Sequence, residues 1–471
     1  DFLSDSEQGK SFFNERKDTL LCSEENHSPF HWCLNFPEVF EQGGFDAIVA
    51  NPPWGASLST DLLRVWKDQA GQFLMRLVDS FHLFTIRALE LTKNDKRASI
   101  GLILPDVILY QGYSSLLRKH LLSSTNLIAV SDLKNGVFKG VNRPSCALVF
   151  SKNRNIEHRA NIYNWESCGV LGFKHDNSSC SLIQESLIEF PGHIIPTTNF
   201  AEYSEIVEIL YAVPSRLSDF VDSDGIQRGV SADNKDVFVI SQETATNEGI
   251  EEDYLKPVIV GGVHLSPFQI QIDTPLLIYT TRNTDSAEIP NIIDRVNRHS
   301  SLITCSEVKK GKHPIFALHR PREEQIFTKA SKLIGVITAD RPKVAVDEMQ
   351  RFSMDGTFVF AAKENVDPYY LAGVLNSDFM AKIYRVFSQE EGRMMAQVKP
   401  TVLQQLPIVS PDSSNDQVLE TISKITKLSK DFHQDPDMSF SHENASALND
   451  LVEQLYTLAM ENQITNEGVN Q

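Results

Sequence analysis

The sequence predicts an α/β sheet domain followed by a mixed, mostly β domain and a helical C-terminal segment. Three observations carry that prediction. Between residues 45 and 152 short apolar runs alternate with segments whose apolar residues recur at helical spacing, the strand and helix grammar of an open sheet. Beyond residue 200 the texture changes to short β-rich segments set off by turn residues, and the last sixty residues return to helical periodicity. The length of 471 residues agrees with two or three domains, since one hydrophobic core rarely spans so long a chain.

Residues 1–44 are polar and acidic and close with HSPFHWCLNFPEVFEQGG, where Pro37 and the Gly43-Gly44 pair punctuate an aromatic-rich stretch. FDAIVA (45–50) reads as a strand of a sheet buried on both faces. Residues 58–93 read as helical, on apolar positions that include Leu74, Leu77, Val78, Phe81, Phe84, Ala88 and Leu91, up to the polar stop KNDKR. ASIGLILP (98–105) is a second buried strand, YSSLLRKHLL (113–122) an amphipathic helix, and NLIAVSDL (126–133) and CALVFSK (146–152) are two further strands. The first domain is thus placed over 1–160. Periodicity weakens over 161–200, with Ser and Asn at 177–181 and prolines at 191 and 196, so a connector is expected there.

The second domain, 201–410, is expected to use DVFVI (236–240), PVIVGG (257–262), PLLIYTT (275–281), KLIGVIT (332–338), KVAVD (343–347) and GTFVFAA (356–362) as strands. VLETISKITKLSKDF and ALNDLVEQLYTLAMENQ make 411–471 a helical segment.

With 41% hydrophobic and 23% charged residues, the composition is that of an ordinary soluble protein. No run of about eighteen apolar residues and no signal-peptide pattern occurs, so the expected setting is cytoplasmic, with no membrane partner. Cys22, Cys33, Cys146, Cys168, Cys180 and Cys305 form no C-x-x-C pair and no Cys/His zinc spacing. They read as reduced thiols, and no metal is expected. The formal net charge of −18 argues against a generic basic nucleic-acid binder, which shifts attention to local charge.

DAIVANPPWGA (46–56) is the feature that carries chemistry. An apolar strand stops at Asn51, Pro52, Pro53 and Trp54, and the carboxyl end of such a strand is where open α/β sheets bind ligands. The Asn51 amide oxygen and the Pro52 carbonyl are acceptors, and neither Pro52 nor Pro53 contributes an N–H. Two converging acceptors suit an NH2 group. An aromatic amine is a poor nucleophile because its lone pair is delocalised into the ring, and holding both its hydrogens favours the tetrahedral geometry in which the lone pair attacks. Trp54 adds a flat face for stacking. Chance alone produces these four residues in order on the order of once in a thousand chains of this length.

FHWCLNFPEVFEQGGFDAIVANPPW resembles the N6-adenine DNA methyltransferases of the TaqI-like, type IIG restriction-modification and phage-exclusion (PglX-like) group, in which an F-H-W-x-L-x-F-P-E-V-F stretch runs into F-D-x-x-x-x-N-P-P-[YW]. DSFHLFTIRALELTKNDKRASIGLILPDVIL resembles the segment after the catalytic loop, and NGVFKGVNRPSCALVFSK the motif carrying an aromatic that stacks on a flipped base. The resemblance implies part of a Rossmann-like class I methyltransferase sheet, S-adenosylmethionine as cofactor, duplex DNA as partner and base extrusion. It makes Phe138 the stacking residue, with a buried strand-edge Phe as the alternative.

GIQRGVSADNKDVFVI (225–240), YLKPVIVGG (254–262) and YYLAGVLNSDFMAKIY (369–384), ending at QLPI (405–408), resemble landmarks of the group's target-recognition domain. Between Val308 and Arg351 the acidic chain carries ten Lys or Arg against five Asp or Glu. Lys309, Lys310, Lys312, Arg320, Arg322 and Arg341, together with Arg228, are the candidates for phosphate or guanine contacts, a solvated surface being the alternative.

The group's cofactor loop, an F-x-G-x-G-like motif upstream of NPPW, has no counterpart before Asn51. Gly9 is isolated, Gly43-Gly44 adjoins the strand, and GVLGF (169–173) lies on the wrong side. The expectation is therefore an upstream segment or second chain carrying that motif, with a nuclease or helicase component fused or associated, and no activity from these residues alone. Three alternatives stay open: a glutamine-amide methyltransferase of the same NPP[YW] logic, an RNA adenine methyltransferase, and a non-catalytic DNA-recognition subunit.

Overall fold

The computed structural model describes residues 30, 32–56, 58–73, 79–134, 143–164, 180–197, 200–389, 395–435 and 442–469. The chain forms two units, Asp1–Thr198 and Asn199–Gln471.

The first unit is built on a six-stranded sheet made of β1 (Ala47–Ala50), β2 (Ser99–Pro105), β3 (Asn126–Lys134), β4 (Ser145–Ser151), β5 (Arg159–Asn164) and β6 (Cys180–Ile183), in the spatial order β1-β2-β4-β3-β5-β6. β1 and β2 are parallel, with Ala47 opposite Ser99 and Ala50 opposite Leu102. β4 runs antiparallel between β2 and β3. β5 is parallel to β3, and β6 closes the sheet antiparallel to β5. Helices α1 (Thr60–Ala70), α2 (Ser80–Leu91), α3 (Ser115–Ser124) and α4 (Gln184–Glu189) belong to the same unit, after two short helical turns at Trp32–Asn35 and Pro37–Glu41. The core joins Phe81, Leu83 and Ile86 of α2 to Ile100, Leu102 and Leu104 of β2 and to Leu148 and Phe150 of β4, all buried.

The structure differs from the sequence expectation in three places here. β1 is not buried on both faces: Ala47 and Val49 are exposed, Val49 at 87%, because among the described residues β1 pairs on one side only and forms a sheet edge. The helical run expected over 58–93 is two helices, since Asp79 adopts an extended backbone (φ −105°, ψ 147°) as the N-cap of α2. Residues expected as a connector add β5, β6 and α4 to the sheet, with Ala160 and Ile162 fully buried.

Arg118 of α3 is fully buried without a carboxylate partner. Its guanidinium donates instead to the carbonyls of Ile108, Gln111, Gly192 and His193, at 2.6–3.2 Å. It thereby ties the turn after β2 to the turn after α4. Desolvation pulls its pKa down to about 9.

The second unit begins with α5 (Phe200–Ala212) and holds two four-stranded sheets and a two-stranded hairpin. The strands are β7 (Gln227–Arg228), β8 (Val239–Ile240), β9 (Leu255–Ile259), β10 (Leu265–Ser266), β11 (Gln269–Ile270), β12 (Leu276–Ile278), β13 (Lys332–Val336), β14 (Val344–Asp347), β15 (Phe352–Ser353) and β16 (Thr357–Phe360). Their orders are β15-β9-β12-β8, β14-β13-β16-β7 and β10-β11. Helices α6 (Pro290–Arg298), α7 (Pro368–Asn376), α8 (Asp378–Ser388), α9 (Asp416–Gln434) and α10 (His442–Val469) belong to the same unit, where α7 and α10 each pack on α9. DVFVI, expected as a strand, is mostly a helical turn: the Asn234 side chain caps Lys235–Phe238, and only Val239 and Ile240 enter a sheet. No described helix is long and apolar enough to cross a membrane.

Candidate active site and basic patch

The loop that leaves β1 carries Asn51, exposed; Pro52, buried; Pro53, exposed; and Trp54, half-buried. Among the described residues, three hydrogen bonds tie it to two consecutive residues of another segment. The Ser80 hydroxyl donates to the Pro53 carbonyl at 2.5 Å and accepts from the Ala56 amide at 3.3 Å. The Gly55 amide donates to Asp79 Oδ1 at 2.8 Å. None of these bonds engages the Asn51 amide oxygen or the Pro52 carbonyl. Of the two prolyl carbonyls, Ser80 ties off the second.

Asp79 and Ser80 stand at the N-terminus of α2, which nine buried residues anchor in the core. Asp79 Oδ2 lies 3.9 Å from the Arg143 guanidinium, so one carboxylate faces both the β1 loop and the segment entering β4. Behind it, the buried His82 ring holds Nδ1 3.3 Å from both the Asp79 amide nitrogen and its carbonyl oxygen, and shares a hydrogen bond between Nε2 and the buried Ser114 hydroxyl (2.8 Å). Its ring stacks on Phe81 at 4.0 Å and meets the Tyr113 edge at 5.8 Å. Desolvation pulls the His82 pKa down to about 4, so the ring is neutral at pH 7. None of Asp79, Ser80, His82 or Arg143 was legible as a site residue in sequence. The available signal was D-S before an apolar run, a helix-start signature.

In the second unit the structure brings Arg228, Arg320 and Arg322 together. Arg228 ends β7. Ser231, three residues on, exchanges both backbone hydrogen bonds with Arg320. Arg322 donates from Nε to the Gly229 carbonyl at 3.2 Å. Gly229 makes this register possible, because a Cβ there would stand 2.2 Å from the Met354 carbonyl oxygen. Burial lowers the Arg322 pKa, and the neighbouring Arg320 and Arg228 charges lower it further. Arg228 and Arg320 are exposed and form no ion pair among the described residues.

Comparison with known proteins finds one family match within each unit. Residues 3–138 match the Eco57I restriction-modification methylase family, and residues 257–408 match the TaqI-like C-terminal specificity domain. The chain carries a restriction-modification methylase domain and a TaqI-like specificity domain. It is 22% identical over 421 residues to a candidate type II restriction enzyme and methyltransferase of Methanocaldococcus jannaschii, a match that covers 86% of this chain and 30% of that protein. Among solved structures it is similar to the type IIL restriction-modification enzyme MmeI in complex with DNA (12% identity, TM-score 0.49, 87% of this chain and 54% of that one). It is also similar to the type IIG restriction endonuclease BpuSI (15% identity, TM-score 0.32, 89% and 55%). The chain thus spans under a third of the archaeal relative and about half of each of these two structures.

Within the methylase domain, Asn51 and Pro52 supply acceptors for an amine, and the glycine pair before β1 is not free to form a loop. The Gly43-Gly44 pair is taken up by packing: a Cβ on Gly44 would stand 2.5 Å from the Leu91 carbonyl oxygen, which accepts the Phe45 amide N–H, while the Phe45 carbonyl accepts the Lys93 amide N–H. Phe138 and GVLGF (169–173) lie outside the described residues. Within the specificity domain, Lys309, Lys310 and Lys312 are exposed around a helix end closed by the Gly311 and Lys312 amides on the Val308 and Glu307 carbonyls. Arg341, expected with the free cations, is engaged otherwise. It pairs with Asp378 and donates to the Asn376 carbonyl, which clamps the junction of α7 and α8.

Proposed function

We propose that the chain directs transfer of a methyl group from S-adenosylmethionine to the N6 amine of an adenine extruded from a specific duplex DNA sequence, within a cytoplasmic restriction-modification or phage-defence system. The observation that carries this reading is the β1 loop, in which the three hydrogen bonds from Asp79 and Ser80 leave the Asn51 amide oxygen and the Pro52 carbonyl uncommitted. These two acceptors take the N6 hydrogens and turn the lone pair toward the methyl donor. Trp54 and Phe138 stack on the extruded base, whose purine face is otherwise solvated on leaving the duplex. Arg228, Arg320 and Arg322, with Lys309, Lys310 and Lys312, contact phosphates and base edges, giving the acidic chain a local anion-binding face.

The donor site comes from an upstream segment or a second chain. Two observations favour this: packing takes up the Gly43-Gly44 pair, and among the described residues β1 is a sheet edge with Val49 exposed, where further strands of a parallel sheet would add. A nuclease or helicase component completes the system. The alternative of a recognition subunit that depends on its partner for catalysis draws on the same open edge.

The test is Asn51→Ala in the cofactor-competent enzyme, with tritiated S-adenosylmethionine and unmethylated genomic DNA. Transfer to adenine falls by about a hundredfold or more, the scale of losing one preorganised acceptor, while DNA affinity stays within twofold. Unchanged transfer overturns the assignment.

A further inference from the structure

We infer that Asp79 and Ser80 are positioning residues of the methyl-acceptor loop. Together they hold the loop after β1 in its shape and determine which prolyl carbonyl is left for the amine. The inference rests on the function proposed above for Asn51 and Pro52.

The loop has no regular structure of its own from Asn51 to Ala56, and its first residue is exposed. A segment of this kind is ordinarily mobile, whereas catalysis by fixed acceptors needs placement to within about half an ångström. The bonds that fix this loop converge on one dipeptide. Asp79 Oδ1 holds the Gly55 amide, and the Ser80 hydroxyl holds both the Ala56 amide and the Pro53 carbonyl. The dipeptide is itself immobile. It begins a helix with buried Phe81, Leu83 and Ile86, and its backbone is gripped by a neutral imidazole wedged between Phe81 and Ser114.

The Ser80 bond also makes a chemical choice. Pro52 and Pro53 present two carbonyls one residue apart, neither flanked by a proline N–H, and an NH2 group finds both of similar strength. By donating to the Pro53 oxygen, Ser80 removes one competitor and leaves Pro52 beside Asn51. Asp79 adds a second link, since its other oxygen faces Arg143 on the approach to β4.

Four variants in the cofactor-competent enzyme test this: Asp79→Ala, Asp79→Asn, Ser80→Ala and Ser80→Thr. Asp79→Asn keeps an acceptor for Gly55, and Ser80→Thr keeps the hydroxyl. The expected result is a 10- to 100-fold lower kcat for both alanine variants, with KM for unmethylated genomic DNA within twofold. Asparagine and threonine should recover most of the loss. Amide hydrogen exchange gives a readout independent of turnover: Gly55 and Ala56 exchange at least about tenfold faster in the alanine variants of the 471-residue chain.

If Asp79→Ala fails to fold, the Ser80 pair decides alone, since it adds or removes one small group. Wild-type kcat and exchange in the alanine variants, with Asn51→Ala inactive, overturn the positioning role and leave the function standing. Unchanged transfer in Asn51→Ala overturns both.

Discussion

His82 shows how much of the site depends on a single neutral ring. Its folded pKa of about 4 lies below the ordinary 6.5, so above pH 6.5 neither the folded nor the unfolded chain protonates it. Between pH 6.5 and 4 the unfolded chain takes up a proton that the folded chain refuses, and stability falls as the pH falls through that window. The expected contribution is about 1–2 kcal/mol lost between pH 7 and pH 5. Urea midpoints of wild type and His82→Asn at both pH values measure it: the variant should lose less on acidification, and an identical loss would reject the role. Asn51 and Pro52 could be proposed from the sequence because four adjacent residues suggest their chemistry. Asp79, Ser80 and His82 could not, because their roles exist only once α2 lies under the β1 loop.

At the level of elements, β13 and β14 carry a buried ionic group inside the specificity domain. Lys332 stands directly opposite Asp347 in the antiparallel register, both fully buried, with Nζ 2.6 Å from Oδ2. Arg351 holds the other carboxylate oxygen at 2.9 Å and donates its backbone N–H to Oδ2. Asp347→Asn leaves two buried cations with a neutral partner and should cost about 3–5 kcal/mol. A shift in urea-unfolding free energy below about 1 kcal/mol would show that the group is solvated or dispensable.

Elements that the sequence specifies locally were read correctly. SIGLILP and SCALVFS are apolar runs long enough to admit only buried strands, and they appear as β2 and β4. RANIYN, with its polar residues interleaved, passed for connector although it pairs with β3. DVFVI passed for a strand because apolar periodicity cannot see the Asn234 cap.

For the whole molecule, the consequence is a division of labour between what the chain holds and what it lacks. It presents acceptors for an amine and a patch of three arginines, yet no glycine loop precedes NPPW within these 471 residues. Calorimetry on residues 1–471 should therefore detect no S-adenosylmethionine binding tighter than about 100 μM, roughly −5.5 kcal/mol. A micromolar constant would mean that the cofactor is held by residues of a different pattern.

Among the described residues the outer edge of β1 is open, which has a colloidal side as well. An unpaired strand edge is a template on which other chains can zip into a growing sheet. This one is four residues long, opens after the charged Asp46 and closes at Asn51 before two prolines that have no N–H to give a ladder. The residues that clear donors from the acceptor loop also stop an incoming strand from extending past it, so the edge admits a short complement without seeding a fibre.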